Sequence, residues 1–333
     1  MVVSVPHLLR FIIVFILFVA ISGCAVKSAR ISDHPPIAFA ALGESSDLER
    51  YAPIVISERY EETYNRIGTV RGGLDAHGKP NLYVDAESAT FYSQEQLVLS
   101  TNHERYLNLI YRFHFTEVPF QLFPFTLTAG RQGGLIIIIT LDAQKRPVLV
   151  TTVHTCGCYL AIVPTSYLPN SAYPSGWNVD RQRVYGETLP GKLEFPATFE
   201  PHWRPLITVR DATHRVANVG IVDSRTVTNA YRVVPTAILP ESDLDKIPLP
   251  NGESTSFFHK QGWRNGYVKG SIKPWEFLFV SWWALDPFVG VDKALGDPNK
   301  TGVVFYTSLK PWYRQSSNLW YFAEFLTFWG WNL

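Results

Sequence analysis

The sequence predicts an α+β, β-rich domain, and three observations carry that expectation. Residues 107–115 alternate along the chain, two β-branched apolar runs at 135–141 and 148–155 flank a turn, and helix signals come only late. The expected arrangement is an antiparallel sheet with hairpins, a long proline-rich loop and C-terminal aromatic helices.

Each element has its own reason. In 107–115 the alternation puts Leu109, Tyr111, Phe113 and Phe115 on one face. Arg112 and His114 share the other, expected to be solvated and satisfied by carboxylates. The run Leu135 to Leu141 is isoleucine-rich, as a strand buried on both faces would be. Asp142-Ala143-Gln144-Lys145-Arg146-Pro147 supplies the turn to its partner strand. A second hairpin is expected to pair 206–210 with 216–222. Residues 164–205 carry seven prolines, so regular structure is not expected there. So long a connection suits a lid, a binding loop or a covering excursion. Pro274 fits the first turn of a helix over 274–285, and Ser316-Ser317-Asn318 can cap a last helix over 319–329. That last helix is apolar nearly all round, which points to burial.

Composition narrows the function classes. Lysine plus arginine is 30 against 29 for aspartate plus glutamate, with no basic block, so nucleic acid is an improbable partner. Hydrophobic content of 46% excludes wholesale disorder. The chain has three cysteines, one at position 24 and two at 156 and 158.

The first of these belongs to an N-terminal signal. Arg10 precedes an uncharged run from Phe11 to Ala20, then Ile21-Ser22-Gly23-Cys24. From Phe11 to Gly23 is 13 residues, whereas a spanning helix needs roughly 20. The stretch resembles the lipobox signal peptide of bacterial lipoproteins, a resemblance confined to residues 1–24. It implies lipidation of Cys24, a signal peptide over 1–23 and attachment to a cell-envelope membrane. In enteric lipoproteins aspartate after the cysteine favours the inner membrane, so Ala25 points toward the outer one in a Gram-negative host. Residues 24–50, with Pro35, Pro36 and Gly43 and no sustained period, read as a tether. Residues 51–333 then form a single globular domain.

The sharpest chemical feature is Val153-His154-Thr155-Cys156-Gly157-Cys158-Tyr159. Side chains repeat every second residue on a strand, so His154, Cys156 and Cys158 would share a face. Three readings compete. A Cys156–Cys158 disulfide is one, since Cα atoms two apart lie roughly 6.6 Å apart on a strand and Gly157 allows a bend. A zinc-type metal held by His154, Cys156 and Cys158 is another, with a fourth ligand from His114, His103 or His202. A cysteine nucleophile activated by His154 is the third. The spacing is neither the Cys-x-x-Cys of thioredoxin-like proteins nor the Cys-x-x-Cys-His of haem attachment. Other signatures are missing. His103-Glu104 has no second histidine four residues on, Gly130 to Gly134 precedes a strand, and no Gly-x-Ser-x-Gly elbow exists.

Two function classes follow. The first is a lipid-anchored, non-catalytic binding or structural module, with a ligand among loop aromatics such as Trp177 and Trp203. The alternative is a metal- or thiol-dependent enzyme built on His154, Cys156 and Cys158. A cleft beside the strand end with His114 or His202 within reach favours the enzyme, and a buried, closed Cys156–Cys158 disulfide with no nearby cavity favours the module.

Overall fold

The computed structural model describes residues 36–333. Cys24 and the signal segment lie outside them. One sheet of ten strands organises the chain. Its strands are β1 (Ile37–Ala40), β2 (Ile54–Ser57), β3 (Ala89–Leu99), β4 (Arg105–His114) and β5 (Gly134–Leu141). The others are β6 (Pro147–His154), β7 (Ala161–Pro164), β8 (Trp203–Val209), β9 (Val216–Asp223) and β10 (Arg232–Pro240). They lie in the order β7-β6-β5-β4-β3-β10-β1-β2-β8-β9.

The fold is β-rich α+β, but the sheet is mixed rather than antiparallel. β10 runs parallel to both β1 and β3, and β8 runs parallel to β2. The neighbours of β5, β4 and β6, pair with it antiparallel, as do β8 and β9. The parallel pairs join segments far apart in sequence, which local hairpin signals do not report.

The sheet curls nearly closed. Val163 of β7 and Val219 of β9, at opposite edges, belong to the same buried cluster as Phe91, Tyr111, Ile137 and Ile207. A flat sheet could not bring its edges to one core. The outer face is covered by the C-terminal segment, where Phe322, Phe325, Leu326 and Trp331 pack on Ile110, Ile136, Ile138 and Val153. Hence the isoleucine run of β5 is buried throughout, alternate residues facing the two cores.

Several expectations need correction. The tether expected over 24–50 does not extend through its second half, because Ile37–Ala40 is a fully buried strand between β10 and β2; residues 24–35 lie outside the described ones. The globular domain therefore begins before residue 51. Arg112 and His114 do not face solvent; both are 0% exposed, sealed by the segment around Phe257 and Lys293. Residues 164–205 hold two short strands, Gln182–Val184 and Glu187–Leu189, that pair with each other. This excursion contributes Leu189, Leu193 and Phe195 to the inner core, covering the gap between the sheet edges.

Two late helices matter here: α1 (Pro274–Ala284) and α2 (Phe322–Phe328). Pro274 stands in the first turn of α1, where its missing N–H costs nothing. α2 starts later than position 319, because Leu319 donates its N–H to the Phe305 carbonyl (2.9 Å) in a strand-like contact.

The two-faced burial of β5 makes it the strand least tolerant of truncation. Ile137→Ala should cost about 2–5 kcal/mol, read as a lowered urea midpoint. Leu97→Ala, at a position 83% exposed, should shift stability by less than about 0.5 kcal/mol. Equal effects would disprove the curled arrangement.

Candidate functional site: a dithiol turn at the sheet end

β6 ends at His154 and the chain turns tightly. The His154 N–H donates to the Cys158 carbonyl (2.9 Å) and the Gly157 N–H to the His154 carbonyl (2.7 Å). Gly157 has φ +95°, and a Cβ there would collide with the Tyr306 carbonyl. Only glycine fits both demands.

The turn brings Cys156 and Cys158 together as free thiols whose side chains influence one another. Cys156 is buried, whereas Cys158 reaches a cleft of about 370 Å³. Tyr159 and Tyr185 stand on one side, and Glu276, Val280 and Trp283 of α1 on another. Arg210, Asp211 and Arg215, which follow β8, close the third. These arginines are already engaged. Arg210 pairs with Glu187 (2.8 Å) and Glu58 (2.9 Å), and Arg215 with Glu187 (3.7 Å).

Behind the turn lies a buried charge cluster. Lys273 Nζ is 3.4 Å from Asp292 and 4.0 Å from Glu276. Lys293 Nζ donates to the carbonyls of Cys156 (2.7 Å) and Val291 (3.0 Å), and sits 4.3 Å from the centre of the Tyr306 ring. Glu276 Oε2 and Asp292 Oδ2 are buried without a hydrogen-bond partner. Gly290 (φ +80°) packs so closely on Glu276 that a Cβ would strike the carboxylate.

These neighbours divide the two thiols. The Cys158 S–H donates to Cys156 and lowers its pKa to about 6, with help from Lys273 and Lys293 against the cost of burial. The same bond, with burial, holds Cys158 well above its ordinary value. Burial pushes Glu276 up to about 7 against the pull of Lys273. Lys273 is held well above its ordinary value, because Cys156, Asp292 and Glu276 outweigh its burial.

His154 belongs to the turn but not to the thiols. Its Nε2–H donates to the His214 carbonyl (3.0 Å) and its ring packs on Tyr159. Burial, then Lys273 and His214, push its pKa down to about 3, so it stays neutral near pH 7. The three residues proposed as metal ligands share a turn without converging on a point. Among the described residues no group of three or more histidine, cysteine or acidic side chains is placed to hold a metal ion. The candidate fourth ligands stand elsewhere. His114 accepts from Arg112 Nε (2.8 Å) and donates to the Gln132 carbonyl (3.0 Å), His202 lies between Glu200 and Asp223, and His103 is exposed in a turn. Trp177 lies in a shallow groove with Trp329 and Trp331, while Trp203 opens β8 outside it.

Sequence reasoning missed Lys273, Glu276, Asp292 and Lys293. Their signal was present: Glu276 is the one charge inside the otherwise apolar 274–284, and Asp292-Lys293 interrupts Val289-Gly290-Val291 and Ala294-Leu295. Isolated charges in apolar surroundings point to buried partners.

Against known proteins, no family model, no curated protein and no solved structure matches this chain.

Glu276 offers a direct test of the cluster. With its pKa raised from 4.5 to about 7, the folded state takes up a proton the unfolded chain releases. That contribution is fully present below pH 4.5 and lost as the pH rises through 7. Glu276→Gln cannot gain it. Relative to wild type, the variant should lose about 1 kcal/mol of stability per unit as the medium is acidified through the weakly acid range, read from urea midpoints. Parallel stability curves would mean that Glu276 is ionised in the fold.

Proposed function

We propose that this chain is a cell-envelope protein, held to a membrane through a lipidated Cys24, whose cleft carries dithiol redox chemistry at Cys156 and Cys158. The observation that supports the chemistry is the pair of adjacent free thiols, one buried beside Lys273 and Lys293 and one lining an open cleft. A closed disulfide without a cavity would have supported the non-catalytic module instead. The anchoring rests on the lipobox resemblance alone.

The substrate class is a disulfide. Cys158 passes its proton to the Cys156 thiolate through their hydrogen bond and attacks one substrate sulfur. The substrate S–S bond breaks, a mixed disulfide forms at Cys158, and the first substrate thiolate leaves. Cys156, losing its proton again, attacks the Cys158 sulfur and expels the second thiolate. The two cysteines lose two electrons in total and the substrate disulfide gains them. Glu276, at the cleft with an unpartnered oxygen and a pKa near 7, is suited to give its proton to the first departing thiolate, to relay the Cys156 proton to the second, and so to end ionised. The turn in the backbone supports this order, since only Cys158 lines the cleft. A non-catalytic module stays as the second reading, favoured by the groove of Trp177, Trp329 and Trp331.

The test is reaction of the full chain with 5,5′-dithiobis(2-nitrobenzoate). Wild type should release about two equivalents of thiolate and finish with a protein disulfide, seen as a two-hydrogen mass loss in the peptide carrying both cysteines. Cys156→Ser should release one equivalent and keep the mixed disulfide at Cys158. Cys158→Ser should react far more slowly, because Cys156 is buried. Two stable mixed disulfides on the wild type would overturn the redox reading. A bound metal ion lost on replacing His154, Cys156 or Cys158 would put a metal centre in its place.

A further inference from the structure

We infer that the apolar face built from α1 and the loop at residues 119–125 lies in the interface of a lipid bilayer, the membrane that Cys24 is proposed to hold. The inference rests on the anchoring part of the proposed function and is independent of the thiol chemistry.

The face is a continuous surface. Its outward residues include Trp282 at 73% exposure, Leu285 at 74% and Phe123 at 80%, with Phe277, Leu278 and Trp283 about half exposed. Phe120 and Phe125 both pack on Trp275, with ring centres 5.4 Å apart in each pair, which fixes the loop to the helix. The one charge in α1, Glu276, points inward to the thiol cluster. Several large apolar side chains exposed side by side on one helix and its adjoining loop mark an interaction surface.

Three observations select a bilayer as the cover. The first is where the outside chain ends. Ile37 pairs with Ser57, and the next residue, Glu58, bonds to Arg210 and to the Asp211 N–H. Asp211 and Trp283 both line the cleft. Only β2 separates β1 from β8, so Ile37 enters the domain about 10 Å from the strand that leads to the cleft. The thirteen residues from Cys24 to Ile37 can reach at most about 45 Å, and they attach at the end of the sheet that carries the cleft. The second is geometry. α1 has 11 residues, about 16 Å of helix, and among the described residues no helix is long and apolar enough to cross a membrane. Such a helix suits lying in the interface, where tryptophan rings are favoured. The third is charge. Exposed cations flank the face: Arg264 stacks on Trp263, which meets Phe288, and Lys310 follows the cleft residue Leu309. Cations placed there suit anionic headgroups. Trp283 belongs both to the face and to the cleft wall, so the cleft would open at the bilayer surface.

The test uses the full lipidated chain in phosphatidylethanolamine–phosphatidylglycerol vesicles, with or without brominated acyl chains. Tryptophan fluorescence should be quenched by the brominated lipid. The Trp282→Phe variant, altered at an exposed position outside the cleft, should lose about a third of that quenching or more, while thiol release by the dithiobis reagent shows that its fold is kept. Absence of quenching in the wild type would mean the lipid holds the domain away from the bilayer, and would overturn the inference. So would a dimer in vesicles, detected by crosslinking and abolished by Trp282→Asp, since a second copy would then cover the face. Quenching that persists unchanged in Cys24→Ser supports the face while overturning the anchoring at Cys24. Quenching with inert thiols removes only the redox reading.

Discussion

Lys293 is buried completely, and the site depends on how its charge is met. Among the described residues no carboxylate pairs with it within ion-pair distance. Its ammonium instead bonds two carbonyls and rests on the Tyr306 ring. Its backbone carries as much as its side chain: the N–H donates to the Thr155 carbonyl and the carbonyl accepts from Arg112 Nη1. One residue thus fastens the thiol turn, the central strand β4 and the C-terminal segment together. An unpaired buried cation would cost several kcal/mol, so the turn gains a strong reason to hold an anion close by.

The fold supplies the place for that turn. β6 ends, β1 begins and β8 ends at the same end of the curled sheet. The segments leaving those strands therefore crowd one rim, and the cleft is the space between them. Strand ends are where a rigid scaffold can hand side chains to irregular backbone without exposing its core. The proline-rich excursion serves the same rim from outside, through the bonds of Glu187 to Arg210 and Arg215.

The strands with local signals were legible in the sequence. Alternation placed Leu109, Tyr111 and Phe113 on one face, and these residues line the inner core. The isoleucine run announced burial on both faces, which β5 has. What local patterns do not carry is long-range pairing. β1 was hidden in an expected tether because four residues, Ile-Ala-Phe-Ala, show no period. Arg112 and His114 were expected in water because nothing in 107–115 reveals that the distant Lys293 segment will cover them. The thiol turn was legible as a cluster. Its chemistry was not, since Lys273, Glu276 and Lys293 lie more than a hundred positions away and only the fold brings them together.

The cluster's charges also explain why a carboxyl and a thiol are kept side by side. With Glu276 protonated and Cys156 as thiolate, the two lysines are balanced by Asp292 and the sulfur, and the buried region is neutral. Under the proposed chemistry, oxidation removes the thiolate and leaves one lysine charge uncompensated. The group able to restore the balance is Glu276, poised near neutrality and held in contact by Gly290. It would ionise as the disulfide closes. One proton then comes from Cys158 and one from Glu276, two protons for two electrons, and the buried charge is unchanged in either state. A low-dielectric interior penalises any step that alters its net charge. The carboxyl is thus what lets a thiolate between two buried lysines be given up without stranding their charge.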